Sequence, residues 1–154
     1  MAVFVRTKGE WSIESVGKGI VVLGPWGYPP DVRIGPRRTG IELRMKKQGQ
    51  GVATTLVSIL VPSKGEVREA LRTEIADSDE GMCQDNATVP CYRRQRVIKF
   101  VRGEDREYDQ VVVTLSGTSK EAPFKAIAAS EVEHRRFFNG KYVLTPNKGD
   151  ANGS

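Results

Sequence analysis

Apolar and polar positions alternate along the first third of this chain in the rhythm of strands. Trp11-Ser12-Ile13-Glu14-Ser15-Val16 alternates apolar and polar residues apart from the polar pair Glu14-Ser15, the period of a half-buried strand. Gly17-Lys18-Gly19 reads as a turn and Ile20-Val21-Val22-Leu23 as a short buried strand. Gly24-Pro25-Trp26-Gly27-Tyr28-Pro29-Pro30 reads as a loop, because proline cannot donate to a β ladder. Ile41 to Met45 alternates again, Lys46 to Gly51 turns the chain, and Val52 to Val61 is apolar on both faces, as a central strand is. Then the rhythm changes. Ser63-Lys64-Gly65-Glu66 matches a capping box, in which the serine caps a helix and the glutamate reaches back. Val67, Ala70, Leu71 and Ile75 follow at helical spacing, which predicts a helix near 64–76.

The second half returns to strands. Arg94 to Val101 and Tyr108 to Leu115 flank Gly103-Glu104-Asp105-Arg106 as a hairpin, with Val111-Val112-Val113 strongly β-favouring. Phe124, Ile127 and Ala128 allow a second helix near 122–133, which Pro123 limits at its start. Arg135 to Leu144 places Asn139-Gly140 between two β-prone runs, a strong hairpin signal. The expected class is therefore α+β: a mainly antiparallel sheet, curved or closed into a small barrel, with the 64–76 helix covering part of it. Residues 1–146 read as one domain and 147–154 as a polar tail. The stretch Tyr108-Asp109-Gln110-Val111-Val112-Val113, with Arg136-Phe137-Phe138-Asn139-Gly140-Lys141-Tyr142-Val143 after it, resembles the end of many small bacterial envelope proteins. Those end in an aromatic-rich hairpin, often after a short cysteine-bridged segment, and include hydrolase inhibitors. The resemblance implies a periplasmic binding protein. Since Met1 to Arg6 holds no signal-peptide core, the expectation is a mature periplasmic or secreted protein whose leader has been removed, with a cytosolic protein as the alternative.

Composition narrows the classes. With 154 residues and 38% hydrophobic content, the chain can hide about 68–70% of its unfolded surface and needs no metal or dense disulfide framework to fold. No segment approaches the ~20 apolar residues of a helical membrane span. The two cysteines, Cys83 and Cys91, suit a small disulfide loop in an oxidising compartment, worth roughly 2.5 kcal/mol in loop entropy. The alternatives are free thiols in a cytosolic protein or, with a spacing too long for a zinc knuckle, a metal pair.

Candidate chemistry is sparse. His134 is the one histidine, so a hydrolase would have to use it, and no G-x-S-x-G elbow supplies its nucleophile. Asp77, Asp79 and Glu80 begin like a calcium loop, but glycine comes one position early and Thr88 stands where a bidentate Glu is needed. Gly17-x-Gly19 and Gly49-x-Gly51 lack the rest of any phosphate fingerprint. Neither a catalytic set, a cofactor nor a metal is assigned from the sequence.

Charge changes the picture when it is divided. The total is +5, from 24 Lys+Arg and 19 Asp+Glu. Residues 1–62 carry nine basic and four acidic groups, 63–91 three and seven, and 92–154 twelve and eight. A basic β scaffold thus carries one acidic insert. Arg94, Arg96 and Arg102 share one strand face with Ile98 and Phe100, a stripe able to track an anionic partner. Trp26 and Tyr28 in the proline loop are the other candidate anchors, since such residues dominate interfaces. The leading expectation is a small non-enzymatic binding protein of the envelope or secreted space, an inhibitor or immunity-type protein among the options. Its partner would be a protein with an acidic or mixed-charge surface, or an anionic envelope polymer. The alternatives are a cytosolic nucleic-acid-binding module using the basic strand, and a hydrolase using His134.

Overall fold

The fold was described from a computed structural model, which defines the backbone of residues 2–8, 10–16, 30–82, 91–105, 107–119 and 125–145. The described residues form ten strands: β1 (Ala2–Thr7), β2 (Glu10–Val16), β3 (Asp31–Arg33), β4 (Thr39–Gly49), β5 (Val52–Ser63), β6 (Glu66–Ser78), β7 (Arg93–Val101), β8 (Gln110–Thr118), β9 (Ala126–Phe138) and β10 (Lys141–Leu144). From β3 to β10 every strand is antiparallel to its neighbour in sequence, so the sheet is a meander. The β1–β2 hairpin joins it through one parallel pairing, Val16 with Glu66.

No helix occurs among the described residues, and the α+β expectation is overturned in favour of an all-β fold. Residues 66–76 of the expected 64–76 helix belong to strand β6, which runs on to Ser78, and 126–133 of the expected second helix are the first part of β9. Two local features explain the error. Lys64 and Gly65 both adopt positive φ, 52° and 81°, and together form the two-residue turn that matches the twist of antiparallel strands. Ser63 and Glu66 are therefore cross-strand partners, where the sequence suggested the two ends of a capping box. The helical spacing of apolar residues comes from β-bulges. Leu60 pairs with Glu69 and Ile59 with Leu71, leaving Ala70 over; Thr55 pairs with Ala76 and Leu56 with Glu74, leaving Ile75 over. Each extra residue breaks the two-residue period, so Val67, Ala70, Leu71 and Ile75 fall at helix-like intervals on a strand. The turn expected over Lys46 to Gly51 is also shorter: β4 runs to Gly49 and only Gln50–Gly51 turn the chain.

The sheet folds over on itself. β6 pairs with β7 only across Ala76–Ser78, so β3–β6 and β7–β10 separate beyond that corner and face each other. Ile34, Val57, Ile59, Val61, Ala70 and Leu71 come from the first half, and Val111, Val113 and Tyr142 from the second, to make one core. β5 is central, as its apolar run predicts: Ile59, Leu60 and Val61 are 1%, 3% and 0% exposed although consecutive residues point to opposite faces. The far ends of the two halves also meet. The Asp109 amide donates to the Ile34 carbonyl at 2.8 Å, and Arg38 pairs with Glu107 at 3.1 Å. An aromatic row lines the inner side of the second half. Tyr108 stacks on Phe137 at 3.7 Å, and Phe137 and Phe100 meet Tyr142 edge-on at 5.2 and 6.0 Å.

Candidate interaction surface

The acidic insert and the basic strand meet at the corner between β6 and β7. Register places Asp77 opposite Arg94 and Ala76 opposite Gln95. The Arg94 guanidinium donates Nε to Asp77 Oδ1 at 2.9 Å and Nη2 to Oδ2 at 3.0 Å. This two-bond fork is the strongest geometry for a guanidinium and a carboxylate. Glu74 accepts from Arg94 at 3.4 Å and from Arg96 at 3.1 Å, and Arg96 also reaches the Glu74 carbonyl oxygen at 3.2 Å. The hydrogen bond it donates to Asp77 holds Arg94 above its ordinary pKa, against the opposing effect of burial. Asp79 accepts from the Tyr92 amide at 2.8 Å, and Glu80 lies 3.6 Å from Arg93. The run that began like a calcium loop is thus occupied by arginines and a backbone amide.

The sequence-derived site residues are dispersed. Arg94 and Arg96 are on the inner side of β7 with Ile98 and Phe100, in contact with carboxylates. Arg102 lies past the strand end, 3.9 Å from Asp109 and 58% exposed. Trp26, Tyr28 and Cys83 lie outside the described residues. Cys91 comes just before Tyr92, at the base of the loop that Asp79 and Tyr92 close.

With the inner arginines engaged, the outer face of β7–β10 carries a second set of charges. Its described positions are Arg93, Gln95, Val97, Lys99 and Val101 on β7, and Gln110, Val112, Thr114 and Ser116 on β8. β9 adds His134, Arg136 and Phe138, and β10 adds Lys141 and Val143. None of these positions is Asp or Glu. Register fixes neighbours on a sheet face. Lys99 stands beside Val112 and Val112 beside His134, Arg136 beside Val143, and Phe138 beside Lys141. Val97, Val101, Phe138 and Val143 are 51%, 37%, 54% and 37% exposed. The Arg136 guanidinium lies 5.7 Å from the Phe138 ring centroid. Among the described residues Lys99, Arg136 and Lys141 make no ion pair. Sequence reading passed over this face because it weighed the denser arginine run; the alternation His134, Arg136, Phe138 was the available signal.

The chain matches no known family model, no curated protein and no solved structure. No helix among the described residues is long and apolar enough to cross a membrane.

Proposed function

We propose that the protein is a small non-enzymatic binding protein of the bacterial envelope or secreted space, acting on a partner protein with an acidic or mixed-charge surface. The observation that carries this reading is the outer face of β7–β10, where cations and exposed apolar side chains intermingle and no described outward strand position is a carboxylate. The nearest acidic groups are those at its edges, Glu104, Asp105 and Asp109 beside Arg136 and Glu69 beside Lys141. Exposed apolar surface of this kind marks interaction sites, and a field of one sign selects partners of the other. An inhibitor or immunity-type role, occupying another protein's working surface, fits the same chemistry.

The compartment rests on a Cys83–Cys91 disulfide, which belongs to the proposal. Asp79 and Tyr92 bind each other's backbone at the neck of that loop, so the chain on either side is already drawn together. Thiol titration of the native protein is expected to find no free thiol until a reductant is added. Two titratable thiols in the native protein would place it in a reducing compartment.

The function is tested by affinity capture from a bacterial envelope extract, with mass-spectrometric identification of what is retained. A defined acidic protein should be recovered by the native protein and lost on a Lys99→Glu/Arg136→Glu variant. Recovery of nothing protein-like by the native protein would remove the reading.

A further inference from the structure

The outer face of β7–β10 has a size and a charge layout as well as a sign. Neighbouring strands lie ~4.8 Å apart and alternate residues ~6.7 Å apart. Lys99 on β7, Arg136 on β9 and Lys141 on β10 fall on successive rows of the face, because register places Lys99 level with His134, Arg136 two residues on, and Lys141 level with Phe138. The three cations therefore lie on a diagonal about 20 Å long. Val101, Phe138 and Val143, all exposed, border it, and Glu104, Asp105 and Asp109 stand at one edge, in a cavity that Arg136 and Phe138 also line. The whole patch is on the order of 300 Å². A stable interface between globular proteins takes about 800 Å² from each partner. The face is too small for that, but its diagonal matches about six residues of extended chain.

We propose that this face receives one extended acidic segment of a partner protein, with carboxylates facing Lys99, Arg136 and Lys141 and apolar side chains seated on Val101, Phe138 and Val143. The inference rests on the binding-protein reading and specifies what the partner presents. Three exposed valines, Val97, Val101 and Val143, favour apolar side chains over nucleobases, which need aromatic faces to stack on. Phe138 is the one aromatic at the described outward positions, and Arg136 already lies near its ring.

The test uses the full-length protein, isotope-labelled for NMR, and a short blocked peptide alternating Glu and Val. The peptide should shift the amide signals of Lys99, Arg136, Phe138 and Lys141. Its affinity should fall about tenfold or more in Lys99→Glu/Arg136→Glu, the loss of ~1.4 kcal/mol or more. Phe138→Ala should weaken it severalfold while leaving its salt dependence unchanged. All three positions are exposed, and circular dichroism checks that the variants fold. A matched Lys/Val peptide should not bind. Three results would overturn the proposal: no binding of the Glu/Val peptide, its binding elsewhere, or saturation of this face by poly-uridylate or phosphatidylglycerol vesicles in preference to it. Envelope capture separates the two levels of the argument. If the double variant still recovers the acidic protein, the binding reading stands and this face is not its site. If neither protein recovers any, the binding reading itself fails.

Discussion

Asp77 and Tyr142 are two buried side chains that carry polar groups, and they differ in how the interior treats them. Asp77 is 2% exposed and both its oxygens accept from Arg94. Removing one member of such a pair strands the other charge, which costs about 3–5 kcal/mol, whereas replacing both by apolar groups of similar size is often neutral. Asp77→Ala is therefore expected to lower unfolding free energy by about 3 kcal/mol, and Asp77→Leu/Arg94→Met to recover most of it. Denaturant unfolding of the two variants checks this; equal losses would mean the pair adds net stability. Tyr142 is 6% exposed, and its hydroxyl is a buried polar atom without a hydrogen-bond partner among the described residues. An unsatisfied buried hydroxyl costs about 1–3 kcal/mol, so Tyr142→Phe should raise stability by about 1 kcal/mol. Burial, with Asp109 and other acidic groups nearby, pushes the phenol well above its usual pKa. The unfolded chain releases this proton near pH 10 while the folded protein keeps it. Stability should therefore fall as pH rises above about 10, and less steeply in Tyr142→Phe.

At the scale of elements, the turns and bulges decide the architecture. Gly65 and Gly140 sit at φ of 81° and 85°, where a side chain on Cα is strained. Gly65→Ala and Gly140→Ala should each destabilise the fold by about 1 kcal/mol, measurable as a lowered unfolding midpoint; no change at either site would mean the hairpins tolerate another turn. The Asn139-Gly140 hairpin was legible from sequence because Asn-Gly has few other uses between apolar runs. Lys64-Gly65 makes the same turn, but its flanking Ser63 and Glu66 also spell a helix cap. The strand alternation of Ile41–Met45 was legible because no bulge interrupts that stretch; in Trp11–Val16 it was legible up to Glu14, which the β1–β2 register leaves over. β6 was not legible, because Ala70 and Ile75 are bulged out of register and a bulge carries no residue signature of its own. The charges were visible in the sequence, but their pairing was not. Which arginines meet carboxylates depends on Asp77 lying opposite Arg94 across a corner that only the sheet's register creates.

At the scale of the whole molecule, a net charge of +5 is an arithmetic remainder and a poor guide to partners. Two of the four carboxylates on β6, Glu74 and Asp77, are met by β7 at the fold's corner. The cations left on the far side of β7–β10 define a directional surface. The account therefore assigns opposite roles to arginines on the two faces of one half-sheet: Arg94 on β7 stabilises the fold and Arg136 on β9 meets the partner. Both roles are read in one experiment, in which retention of the envelope protein is compared between Asp77→Leu/Arg94→Met and Lys99→Glu/Arg136→Glu. The account predicts that the corner variant retains the partner as the native protein does and the outer-face variant loses it by about tenfold or more. Loss of the partner on the corner variant, with retention on the outer-face variant, would contradict it.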